Sequence, residues 1–247
     1  MSINVTRTIN SRMAETIDLS FAYDTNDQLD IWKVGEEVFD GIAVHDISFL
    51  GATGRRIDSY LVTSVVGRAF PGVLLIHPLS GNRESFLNEA LKLAERRICS
   101  LSMDAPWSGG MDWATKMGNP EHDRKELIET IRDLRRSFDV LIQSIIDVGR
   151  LGYIGHCLCA LCDGVLSSID RRARACVLMS ETTVFSDVAK VNMPNMGKEE
   201  LTEYSQAMLD IAPVRFVPLA SPARFMFQMG NSEEYFNRHA VPGGRGQ

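Results

Sequence analysis

The chain has 247 residues, 45% of them hydrophobic and 23% charged, with a net charge of −6 at pH 7 and a pI near 5.4. That balance suits a globular domain and argues against a nucleic-acid partner or an anionic membrane surface. No apolar run approaches the ~20 residues of a membrane span, the N-terminus lacks an apolar signal core, and five cysteines are too few and too odd in number for a disulfide framework. A reduced, cytoplasmic setting is therefore expected.

Residues 1–40 are polar and mixed, and are read as an N-terminal extension with a helix around Ile31–Val38. Two strand-like runs follow, Ile42–Leu50 and Arg56–Thr63, joined through Gly51–Gly54 as an antiparallel hairpin. Gly72–Ile76 is almost wholly apolar, as a strand buried on both faces requires. A helix is predicted over 83–97, with Phe86, Ala90, Leu93 and Ala94 on one face, then a strand over Ile98–Met103. Leu127, Ile131, Leu134, Phe138, Leu141 and Ile145 step by four and three, the signature of an amphipathic helix. Leu151–Ile154, Ala173–Met179 and Arg224–Met229 supply three further strands. Strands alternating with helices predict an α/β domain over 41–236, built on a mostly parallel sheet covered on both faces. Ile76, Met103, Ile154, Met179 and Met229 should then end their strands on one rim, and chemistry should sit beyond it.

Three strand ends carry unusual sequences: His77–Gly81, Gly155–Cys159 and Gly230–Glu234. The middle one, "GHCLC", fits the nucleophile elbow G-x-Nuc-x-G in its strand–turn–helix setting. A nucleophile on a strained turn needs small neighbours two residues away, which Gly155 satisfies and Cys159, in place of the usual glycine, approximates. Cys157 is the candidate nucleophile, because a helix N-terminus favours the thiolate that attacks. Cys159 and Cys162 are read as packing residues. A metal site at Cys157, Cys159 and Cys162 lacks a fourth ligand beyond His156, so no metal and no cofactor is expected.

With "PGVLLIHPLSGN" (71–82), "DLRRSFDVLIQ" (133–143), "RLGYIGHCLCA" (150–160), "ARACVLMS" (173–180) and "PARFMFQMGNSEEYF" (222–236), the chain resembles the α/β-hydrolase superfamily, in particular its dienelactone-hydrolase-like branch. Members of that branch carry Cys at the elbow. The resemblance implies hydrolysis of an ester, lactone or thioester through an acyl-enzyme. It also implies an oxyanion hole from the backbone N–H groups of Leu158 and Leu79, Pro78 having none. The triad acid is expected at Glu233, with Glu234 and Glu181 as alternatives. His77 is read as a structural loop residue.

The base is the open point. His239 is the one histidine after Glu233, but the 14 residues beyond Glu233 are fewer than the helix and strand that normally separate acid from base. The C-terminus is therefore read as shortened, with 237–247 as a tail and His239 outside the pocket. His156 abuts Cys157 and points away from it, while His45 and His122, in the first strand and a polar loop, have no reason to converge on it. Two other readings stand beside hydrolysis. One is non-hydrolytic chemistry in the same pocket, such as elimination, acyl transfer or cyclisation; the other is a non-catalytic binding protein. Segments 106–120 and 182–211, with Trp107, Trp113, Met111, Met117, Met193 and Met196, would cap an apolar site for a small-molecule substrate. A second copy could cover the edge strand Arg224–Met229.

Overall fold

The computed structural model describes residues 20–78, 81–108, 118–144, 146–179, 193, 195–220 and 222–228. The strands are β1 (Trp32–Phe39), β2 (Ile42–Leu50), β3 (Arg56–Ser64), β4 (Phe70–Ile76), β5 (Cys99–Met103), β6 (Ile146–His156), β7 (Ala173–Met179) and β8 (Arg224–Gln228). They form one eight-stranded sheet in the order β1-β2-β3-β5-β4-β6-β7-β8. The first three strands and the β3–β5 junction are antiparallel, and the rest of the sheet is parallel.

Residues 32–39 are a strand rather than the helix expected around Ile31–Val38. Asp40 and Gly41, both at positive φ, make the two-residue turn that pairs Phe39 with Ile42. Asp-Gly suits such a turn, whose twist matches that of the flanking strands. The register slips between Lys33 and Gly35, a bulge that destroys the alternation a strand normally shows.

Helices cover both faces. Helix α1 (Leu87–Glu95), entered through a 3₁₀ turn at Arg83–Phe86, lays Phe86, Ala90 and Ala94 against Ile42, Val62 and Leu75. On the opposite face lie α2 (Pro120–Gln143) and α3 (Leu158–Ile169), which bury Leu127, Ile131, Leu134, Phe138 and Leu141 together with most of α3 in the larger core. Helix α2 starts well before its apolar stripe. The Asn119 side chain accepts from the N–H groups of Glu121 and His122, and Pro120 occupies the first turn, where its missing N–H costs nothing. His122 thus sits in a helical turn, not in the loop expected for it.

Three arginines of α2 capture the carbonyls of the segment before β1. Arg132 donates to the carbonyl of Ser20 and Arg135 to that of Phe21. Arg136, almost fully buried, donates to Asp27, Gln28 and Leu50. The same segment puts Phe21 and Leu29 into the core. A fourth helix, α4 (Lys198–Ala207), packs on the start of α2, where Tyr204 Oη donates to Asp123. The last turn of the parallel strands falls on one rim: Ile76 is level with Met103 and Gly155, His156 with Met179, and Met179 with Gln228. Ile154 stands one residue below this rim, and Met229 lies outside the described residues.

Candidate active site

At that rim β6 turns directly into α3, and the residue on the turn is Cys157. Its backbone is at φ 58°, ψ −120°, a conformation side-chain-bearing residues rarely adopt and one that costs of order 1–3 kcal/mol. The surroundings hold it there: Cys157 N–H donates to the carbonyl of Met179 at 2.9 Å, and its own carbonyl accepts from Ala160. Gly155 is required by space, since a Cβ there would lie 2.6 Å from the Tyr153 ring and 3.0 Å from the Cys159 carbonyl group. The Tyr153 hydroxyl, fully buried, donates to that same carbonyl at 3.0 Å. The elbow is thus braced from the strand below and from the neighbouring strand.

Cys157 is half-buried, whereas Cys99, Cys159, Cys162 and Cys176 are buried. Burial pushes the Cys99 and Cys162 thiols up to about 12 and raises the Cys159 and Cys176 thiols well above the usual thiol range. These four are kept as neutral thiols. Cys157 instead stands at the N-cap of α3, where its own side chain makes no capping bond and the helix dipole favours an anion. Leu158 is the first residue of α3, so its N–H has no acceptor within the helix. Among the described residues no three His, Cys, Asp or Glu side chains are grouped to hold a metal ion.

His77, at the end of β4, has a structural role. Its ring is fully buried: Ala105 N–H donates to Nε2 at 3.1 Å, Ser108 Oγ lies 2.7 Å from the same nitrogen, and Nδ1 lies 2.7 Å from the Pro78 carbonyl. With Nε2 accepting, the proton belongs on Nδ1, donated to Pro78. Burial pushes the pKa of this imidazole down and keeps it neutral. His77 therefore fastens the loop after β5 to the loop after β4. Trp107, expected on a lid, is instead buried with its ring edge-on to His77. Met193 and Met196 line a cavity of about 440 Å³ with Gly118, Pro120, Glu203 and Tyr204. His45 reaches Glu36 on β1, at 3.5 Å. Leu79, Glu181, Glu233, Glu234, His239, Trp113, Met111 and Met117 lie outside the described residues. Sequence reasoning did not single out Tyr153, although a tyrosine two positions before the elbow glycine is a visible signal.

Sheet order, flanking helices and the strand–turn–helix at the rim define an α/β-hydrolase fold. The structure is similar to acetyl xylan esterase from Paenibacillus sp. R4, with a TM-score of 0.67 and 16% identity over 86% of this chain and 76% of that one. It is similar also to acetyl xylan esterase 1 from Thermoanaerobacterium sp. JW/SL YS485, with a TM-score of 0.63 and 13% identity over 88% and 86% of the two chains. A glucuronoyl esterase from Solibacter usitatus gives a TM-score of 0.66 at 10% identity, over 91% of this chain and 75% of that one. No family model matches the sequence, and no curated protein matches it. No helix among the described residues is long and apolar enough to cross a membrane.

Proposed function

We propose that this protein is a hydrolase of a small ester, lactone or thioester, with Cys157 as its nucleophile. The observation that carries the reading is the backbone of Cys157: a non-glycine residue held at φ 58°, ψ −120° on the turn between β6 and α3. Strain of that kind persists only where surrounding structure enforces it, and it clusters at functional sites. Esterases among the structural neighbours support the same class of chemistry on the same fold. The cysteine agrees with the dienelactone-hydrolase-like branch that the sequence resembles.

In this mechanism the Cys157 thiolate attacks the carbonyl carbon and forms a C–S bond. The carbonyl π electrons move onto oxygen, and that oxyanion accepts hydrogen bonds from the N–H groups of Leu158 and Leu79. Each well-placed donor contributes about 3 kcal/mol to such a transition state. Collapse expels the alkoxide or thiolate leaving group, which takes up a proton, and water then cleaves the thioester acyl-enzyme to the acid and free Cys157. His239, oriented by Glu233, Glu234 or Glu181, is the candidate to activate that water. The short path from Glu233 to His239 argues that it acts weakly or not at all.

Hydrolysis of p-nitrophenyl acetate by the wild type, Cys157→Ala and His239→Ala tests the reading. We expect slow turnover that is lost in Cys157→Ala and retained in His239→Ala. Equal rates in wild type and Cys157→Ala, or no turnover by any of the three, would overturn it. Loss in His239→Ala as well would restore the full triad and correct the reading of the tail.

A further inference from the structure

Cys159 occupies the elbow position where the resembled family carries glycine, and it makes a contact that glycine cannot. Its Sγ lies 3.0 Å from the carbonyl oxygen of His77, at the end of β4, and the residue is fully buried. Burial keeps the sulfur protonated, so it is a standing S–H donor. The residue is gripped at both ends, because Tyr153 Oη donates to its carbonyl at 3.0 Å while its side chain donates to His77. His77 is the first residue of the turn that leaves β4. In that turn the Pro78 carbonyl accepts from Gly81 N–H at 2.9 Å and faces His77 Nδ1 at 2.7 Å. A Cβ at Gly81 would lie 3.0 Å from His77 Cβ, so the turn is packed closely on that histidine. Beyond it, Arg83 N–H donates to Asp104 after β5.

We infer that Cys159 is a positioning residue whose thiol hydrogen bond to His77 locks the turn after β4 to the first turn of α3. This rests on the proposed hydrolase reading, in which the two halves of the oxyanion hole come from these two segments. Leu158 is covalently next to Cys159, and Leu79 is two residues beyond His77. The sulfur therefore bridges the two backbones whose N–H groups must converge on one oxygen. A misplacement of such donors costs rate without much cost in ground-state binding, because the oxyanion exists only after attack.

The test uses the full chain with Cys159→Ala, which removes the donor, and Cys159→Ser, which keeps one. Two readouts are taken: amide hydrogen exchange of the peptide covering residues 77–86, and kcat and KM for p-nitrophenyl acetate. We expect Cys159→Ala to speed exchange at Gly81 and Arg83 by about 5- to 10-fold, the equivalent of one net hydrogen bond. It should lower kcat by a similar factor with KM nearly unchanged, and Cys159→Ser should restore both. Unchanged exchange in Cys159→Ala, or a serine variant as impaired as the alanine one, would overturn the inference. A wild type without turnover would defeat the hydrolase reading, and the exchange comparison alone would then decide the lock. Should Cys159→Ala fail to fold, exchange in Cys159→Ser decides it: rates matching wild type support the lock, and raised rates sink it.

Discussion

Five thiols share this chain, and their surroundings separate them sharply. Only Cys157 stands half-exposed on a helix N-terminus; the other four are buried and held protonated. Alkylation requires both thiolate and access. Brief treatment with iodoacetamide at neutral pH should therefore modify Cys157 first, with Cys99, Cys159, Cys162 and Cys176 labelled only on unfolding, as peptide mapping would show. Equal labelling of Cys157 and Cys176 would contradict the elbow's exposure. This turn was legible in the sequence because it is local: Gly155, Cys157 and the start of the helix lie within five residues. The S–H bond from Cys159 to His77 was not, because its partners are 82 positions apart and nothing in either neighbourhood announces the other.

Elements were read well where their periodicity was clean and badly where it was interrupted. The apolar stripe of α2 was visible, and its first five members, Leu127 to Leu141, are buried as expected, while the sixth, Ile145, lies outside the described residues. Strand β1 was mistaken for a helix because Ile31, Val34 and Val38 fall at helical spacing and the bulge at Val34 removes the alternation; Asp40-Gly41 was the better signal. The junction of α2 and α4 yields a test of its own. Asp123 Oδ2 accepts from Gly118 N–H and from Tyr204 Oη, each at 2.9 Å, with His122 nearby. Burial outweighs these hydrogen bonds and the histidine and pushes the carboxyl pKa up. A carboxyl raised on folding stabilises most when protonated, so its contribution is full below its unfolded pKa and is lost as pH rises through the folded value. Asp123→Asn removes that dependence. The stability of the variant relative to wild type should therefore climb as pH rises above about 4, measured by urea denaturation. A difference that stays flat or falls would refute the assignment.

At the scale of the molecule, the alternation of strands and helices was enough to predict a parallel sheet with chemistry on one rim, and the strand ends do assemble there. The straps from α2 to the segment before β1 were illegible, since carbonyl acceptors carry no sequence signature. Arg136 illustrates their weight. At 2% exposure it serves the carbonyls of Asp27, Gln28 and Leu50, drawn from two separate stretches of chain. Arg136→Ala would strip three acceptors of one donor group and should cost about 3 kcal/mol in unfolding free energy. Arg136→Lys should recover little of it, because an ammonium lacks the planar fork. A loss below 1 kcal/mol would show that water replaces the guanidinium easily.

The order of the sheet also governs when the elbow can exist. Strands β1 to β3 are neighbours in sequence and can pair as soon as they are made. Strand β4 gains one parallel neighbour when β5 arrives, but its other edge waits for β6, and Val73 meets Gly152 only after α1, β5 and α2 have intervened. Closing so long a loop is slow, and it leaves one edge of the apolar β4 unpaired until it is done. The Cys157 N–H meets the Met179 carbonyl only when β7 arrives still later. On a ribosome, then, the turn at Cys157 is shaped only once β7 has emerged, and a chain stalled before Met179 would carry the cysteine without the bond that holds its backbone in place.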